Sequence, residues 1–209
     1  GRHSPTPIGG GILTNGTTQA QRAPVLAGQT VVVIGGSAGI GLETARRARA
    51  EGADVILTGR NPERLKQAAV EVDARRTAAF DANDPVSLRE FFSDMPTPID
   101  HVMVTAGGPR YGPLLEMDAD DVREALSGHV VLGLEVARNA AGNMRPGGSL
   151  LFMGGTGGRR VGHGLGIVSA ATAALPPFTA ALASRAVSSP MPALPPITTT
   201  VCPASTGPR

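Results

Sequence analysis

The sequence predicts an α/β fold with a doubly wound parallel sheet, and three observations predict it. Residues 31–34 form an unbroken apolar and β-branched run, as expected of a strand buried on both faces. A cluster of glycines follows, Gly35, Gly36, Gly39 and Gly41, then a helical stretch and a second strand over residues 54–58. Strands and helices of short, regular length continue to alternate beyond it, which implies parallel pairing with right-handed crossovers.

The elements follow in order. Residues 1–24 are rich in Gly, Thr and Pro without a sustained period and read as a flexible arm, so the fold is expected to begin near Leu26. After the second strand, Asn61, Pro62 and Glu63 open a helix to about Val72, with proline in the first turn where its missing N–H costs nothing. Residues 76–80 read as a third strand, Asp84 and Pro85 start a short helix to about Phe92, and residues 99–104 read as a fourth strand. A long helix is expected over 118–144, with Val122, Ala125, Leu126, Val130, Gly133, Val136, Ala137 and Ala140 at helical spacing. Residues 164–184 lack charge over a length that could span a bilayer, but their small residues and Pro176-Pro177 favour a buried helix. Residues 25–185 thus form the expected domain. Residues 186–209 are proline-rich and aperiodic, so an irregular tail and a sheet lacking its last strands are predicted, because proline cannot donate to a ladder.

Composition narrows the function classes. The 209 residues suit one domain, and 19 basic residues barely exceed 17 acidic ones, with the arginines scattered, which does not argue for nucleic acid. Aromatics at 3% offer little for bases to stack on. Cys202 is the only cysteine, which excludes an intrachain disulfide or a cysteine-rich metal site and fits a reducing cytoplasm. No charged start followed by an apolar stretch marks a secretory signal, and neither a membrane nor a metal partner is expected.

The glycine turn carries the chemistry. Its spacing is Gly35-x-x-x-Gly39-x-Gly41, between a strand and a helix, where glycine lets a diphosphate approach the backbone and the helix start offers free N–H groups. At these residues the chain resembles the short-chain dehydrogenase/reductase family, whose motif is TGxxxGxG, with Ile34 in the threonine place. Asp81-Ala82 resembles the family's adenine-contacting pair, and Val104-Thr105-Ala106-Gly107 its NNAG motif, with Val104 and Thr105 for the two asparagines. Residues 147–152 resemble its fifth strand, and the likeness covers roughly residues 27–183. It implies a Rossmann-like fold and a nicotinamide dinucleotide held by Gly35, Ser37, Ala38, Gly39, Ile40, Gly41, Arg60, Asp81, Ala82, Ala106 and Gly107. Gly59 stands where a carboxylate would bind a ribose 2′-OH, and Arg60 follows it, which favours NADP(H) over NAD(H). The resemblance also implies a homo-oligomer through the helix at 118–144; the alternative is that its apolar stripe faces the sheet.

The family's proton donor is a Tyr-x-x-x-Lys pair with a serine, and this chain cannot contain it. Its single tyrosine is Tyr111 and its single lysine Lys66. Residues 168–174 resemble the family's YSASKAA segment with Val168 for the tyrosine and Thr172 for the lysine; Gly155 falls near the serine, and His129 near the relay asparagine. Valine has no proton to give, and threonine carries no charge. Tyr111, His129 and His163 are the remaining candidate donors, and Arg159-Arg160 could meet an anionic substrate or the cofactor's phosphates. Two functions stay open: an NADP(H)-dependent oxidoreductase acting on an unidentified carbonyl or alcohol, or a dinucleotide-binding protein without turnover.

Overall fold

A computed structural model of the chain describes residues 23–95, 98–155, 162–188 and 197–202. Residues 1–22 of the expected arm, and the Arg159-Arg160 pair, lie outside the described residues. The strands are β1 (Thr30–Ile34), β2 (Asp54–Gly59), β3 (Arg76–Ala79), β4 (Ile99–Val104), β5 (Met144–Gly155) and β6 (Ile197–Cys202). They form one sheet in the order β3-β2-β1-β4-β5-β6, and every pair is parallel. The helices are α1 (Gly39–Ala50), α2 (Pro62–Val72), α3 (Pro85–Ser93), α4 (Ala119–Leu126), α5 (Leu132–Ala140) and α6 (Gly166–Ser188).

Strand alternation divides the core in two. Val31, Val33, Val55 and Leu57 face Ala45 and Ala48 of α1 and Leu65, Ala68 and Val72 of α2. Val32, Ile34, Ile56, Val102 and Val104 face the other way, onto α3 and α5 through Leu88, Phe92, Leu132, Val136 and Ala140. Both faces of β1 are therefore covered, which explains why its sequence is apolar without alternation.

Short polar side chains start the helices. Asn61 accepts from the Arg64 N–H at 2.9 Å ahead of α2. Asp84 accepts from the Val86 N–H at 3.1 Å and from the Ser87 hydroxyl at 2.5 Å ahead of α3. The Ser87 bond first, then the Val86 N–H, holds the Asp84 carboxyl below its ordinary value. A carboxyl depressed on folding adds stability above its unfolded-state value and loses it as pH falls through the folded-state one. The stability gap between the parent chain and Asp84→Ala is thus expected to be constant near neutrality and to shrink in acid, in thermal melts run across pH.

Two expectations are corrected. The tail is not irregular throughout: residues 197–202 pair with β5 as β6. They read Ile-Thr-Thr-Thr-Val-Cys, a largely β-branched run without proline, so every residue of the strand keeps the N–H that a ladder needs. The long helix is interrupted at Ser127–Val131 by a π-helical turn and ends in a 3₁₀ turn at Ala141–Asn143, leaving Met144 to begin β5. The helix expected over residues 164–184 is α6, which runs through Pro176 and Pro177 on its exposed side. Its opposite side packs inward through Ile167, Val168, Ala171 and Leu175, and Phe178 meets Phe152 edge-on with ring centres 6.1 Å apart. By length and composition alone Gly166–Ala183 is also apolar enough to cross a membrane.

On the apolar stripe of the long helix, the part beyond the π turn faces the sheet. Val136, Ala137 and Ala140 are buried in the core; ahead of the turn Ala125 is buried and Leu126 exposed.

Candidate functional site

The chain runs outward from β1 through β2 to β3, then returns to place β4 on the other side of β1. That reversal opens a crevice at the carboxyl ends of the strands. A cavity of about 240 Å³ lies there. Its walls come from Gly35 and Ser37 after β1, Thr58 to Arg60 at the end of β2, Phe80 to Asn83 after β3 and Thr105 to Gly108 after β4. Glu124 and Gly128, on α4 and the π turn, together with Arg110, complete it.

Backbone bonds hold the strand ends together. The Ile34 carbonyl accepts from the Thr105 N–H at 2.8 Å and the Ala106 N–H at 2.9 Å. The Thr105 hydroxyl reaches the Ile34 and Gly35 carbonyls at 3.2 and 3.1 Å. Thr105 thus ties the glycine turn to β4, and Gly41 brings α1 hard against both, since a Cβ there would lie 2.3 Å from the Gly35 oxygen. Gly39 differs. It has φ +54° with nothing within 4 Å of where a Cβ would stand. Ahead of it Ala38 is extended and offers no side-chain cap, so α1 starts on its backbone alone.

Of the residues expected to hold a dinucleotide, Gly35, Ser37, Arg60, Asp81, Ala82, Ala106 and Gly107 line the cavity. Ala38, Gly39, Ile40 and Gly41 do not; they form the α1 start at its edge, with Ile40 46% exposed. Asp81 is oriented by a local turn in which its carboxylate accepts from the Asn83 backbone N–H at 3.0 Å and from the Asn83 side-chain amide at 3.2 Å. Sequence reasoning missed Asn83, Arg110, Glu124 and Gly128. The four-residue spacing of Glu124 and Gly128 puts them on one helix face, which was a readable signal once α4 was placed near β4. Arg110 forms ion pairs with Glu124 and, at 3.3 Å, with Asp121. The hydrogen bond from Arg110 is the main cause that holds the Glu124 carboxyl below its ordinary value, and Glu124 in turn raises Arg110.

The three candidate proton donors are not brought into the cavity. Tyr111 is 65% exposed on the loop after β4, and His163 is exposed on the loop before α6; the Gly112 N–H joins these loops by donating to the Gly164 carbonyl at 3.0 Å. His129 sits in the π turn, where its Nδ1 donates to the Ala125 carbonyl at 3.2 Å. Val168 and Thr172 are buried on α6, and the Thr172 hydroxyl is spent on the Val168 carbonyl at 2.8 Å.

Residues 29–190 match the family model described as short chain dehydrogenase. The chain is 29% identical over 175 residues to the short-chain dehydrogenase/reductase ATR9 of Stachybotrys chlorohalonatus, covering 77% of this chain and 69% of that protein. It is 32% identical over 136 residues to a cyclic-di-GMP-binding biofilm dispersal mediator protein of Escherichia coli, covering 64% of this chain and only 56% of the relative's length. Among solved structures, BdcA in complex with NADPH superposes with a TM-score of 0.74 at 28% identity, over 84% of this chain and 70% of that one. A short chain dehydrogenase from Burkholderia cenocepacia in complex with NADP does so with a TM-score of 0.75 at 29% identity, over 84% and 73%. With the parallel sheet, the crevice between β1 and β4 and the matched family model all in agreement, the chain belongs to the short-chain dehydrogenase/reductase family, oxidoreductases that use nicotinamide dinucleotides.

Proposed function

We propose that the chain is an NADP(H)-dependent oxidoreductase of the short-chain type, acting on a carbonyl or alcohol, with the dinucleotide lying across the cavity. The observation that carries the cofactor choice is the end of β2, where Gly59 and Arg60 line the cavity and that strand end offers a guanidinium and no carboxylate. The site fits such a ligand. The uncapped start of α1 would take the diphosphate, with the open side of Gly39 leaving room for its approach. Asp81 and Ala82 would meet the adenine, Arg60 the 2′-phosphate, and Ala106 and Gly107 the adjoining ribose. The bound nicotinamide would supply hydride chemistry. Two superposable relatives crystallised with NADPH or NADP support this choice.

A second reading, binding without turnover, is favoured by α6. Val168 and Thr172 are buried, and the Thr172 hydroxyl is bonded within its own helix, so neither can move a proton toward a substrate. The name of the Escherichia coli relative is also one of binding.

Fluorescence titration separates these claims. Arg60→Ala is expected to weaken NADPH about tenfold, as loss of a charge-assisted phosphate contact does, while leaving NADH nearly unchanged. Equal affinities for the two cofactors in the parent chain would overturn the NADP(H) assignment. Turnover is tested by following nicotinamide absorbance with a panel of aldehydes, ketones and alcohols; saturable NADPH binding with no substrate oxidised or reduced selects the second reading.

A further inference from the structure

Two guanidinium groups and two carboxylates line the cavity: Arg60 and Asp81 from the ends of β2 and β3, and Arg110 and Glu124 from the β4 side. Their partners differ. Arg110 is held by Glu124 and Asp121 of α4, whereas Arg60 has no ion-pair partner among the described residues. Glu124 feels both cations. The hydrogen bond and charge of Arg110 do most to hold its carboxyl low, Arg60 adds to that from across the cavity, and Asp81 opposes it. Arg60 and Glu124 therefore line one cavity, and Arg110 is the cation that holds the Glu124 carboxylate there.

We propose that Arg110 is a specificity-determining positioning residue: by occupying Glu124 it keeps Arg60 available for the 2′-phosphate and keeps a bare carboxylate from facing that dianion. The inference rests on the NADP(H) reading of the cavity. Without Arg110, Glu124 stands on the wall of the cavity that Arg60 also lines, with no cation of its own, and does two things at once. It takes the guanidinium that a phosphate needs, and it places a negative charge on the cavity wall. Both effects weaken a 2′-phosphate, whereas a carboxylate does not repel a 2′-OH, so the selective loss is of NADPH over NADH. Arg110 acts through Glu124, so the effect of removing it must vanish when Glu124 is removed as well.

The experiment is a set of NADPH and NADH fluorescence titrations on the parent chain, Arg60→Ala, Arg110→Ala, Glu124→Ala and the Arg110→Ala/Glu124→Ala double variant. Arg110→Ala is expected to lose about tenfold in NADPH affinity with NADH nearly unchanged, and the double variant to regain the parent's NADPH-to-NADH ratio. Glu124→Ala is expected to bind NADPH at least as tightly as the parent. An unchanged ratio in Arg110→Ala overturns the proposal, as does a double variant as weak for NADPH as Arg110→Ala. A purely structural role for the ion pair would lower both cofactors together and would not be rescued by the second substitution, so that pattern overturns it too. Failure of the underlying reading looks different: the ratio then fails to respond even to Arg60→Ala.

Discussion

Gly107→Ala is expected to cost roughly 2–5 kcal/mol of folding stability, while Gly39→Ala costs only about 1–2 kcal/mol and yet weakens NADPH binding more than tenfold. The two glycines share positive φ, +93° at Gly107 and +54° at Gly39, so alanine is strained at both. They differ in what surrounds the missing Cβ. At Gly107 it would lie 2.3 Å from the Gly128 carbonyl oxygen, an atom of the π turn that cannot swing aside as a side chain would. Relief requires α4 and the π turn to move off the end of β4, which adds an overpacking cost to the backbone strain. At Gly39 the Cβ would point into open space beside the uncapped helix start, so the fold tolerates it. That space is where the diphosphate is proposed to sit, and a methyl group there holds it away from the α1 amides. Urea unfolding and NADPH titration on both variants check the pair. A Gly39→Ala protein that binds NADPH as tightly as the parent would remove the diphosphate from the start of α1.

What the sequence made legible, and what it hid, follows from the range of the forces involved. β1, β2 and the glycine turn were readable because their signals are local: a buried strand must be apolar, and a close turn must be glycine. The half of the cavity built from the ends of β1 to β4 came with them, since parallel order places those ends side by side. β6 is hidden because prolines dominate the composition of the tail, although none falls within residues 197–202. The π turn was hidden for another reason. One extra residue in a helical turn rotates everything after it by about 100°, so a single stripe cannot describe both halves. Beyond the turn Leu132 is buried on the same face as Val136 and Ala140, whereas Leu126 ahead of it is exposed beside the buried Ala125. Arg110 and Glu124 carry no local signal as a pair. Only the packing of α4 beside the β4 loop brings them together.

The second large effect is expected at Asp100. Asp100→Ala is expected to lower stability by roughly 2–3 kcal/mol, and Asp100→Asn by about 1 kcal/mol. The Asp100 side chain is 9% exposed and accepts from the Thr30 N–H at 2.8 Å and from Arg145 at 2.9 Å. It thereby ties β4 to the first residue of β1 and to an irregular part of β5, where the register passes from Ile99 opposite Met144 to His101 opposite Ser149. Residues 145–148 have no regular partners across that step, and Gly148 passes so close that a Cβ would lie 2.2 Å from the Asp100 carbonyl oxygen. His101 makes a parallel tie, its Nδ1 2.7 Å from the Ser149 hydroxyl and its Nε2 2.6 Å from the Gln29 side-chain oxygen. Alanine at position 100 leaves the Thr30 N–H without its acceptor, whereas the half-exposed Arg145 can rehydrate, which keeps the cost below that of a fully buried pair. Asparagine retains an oxygen for Thr30 and loses only the charge toward Arg145, hence the smaller effect. Because these ties lie at the amino ends of the strands, opposite the cavity, the Asp100 variants that remain folded should bind NADPH as the parent does. Paired unfolding and titration curves test both halves of this prediction, and an Asp100→Asn variant as unstable as Asp100→Ala would show that the charge pair with Arg145, and not the Thr30 bond, holds this end of the sheet.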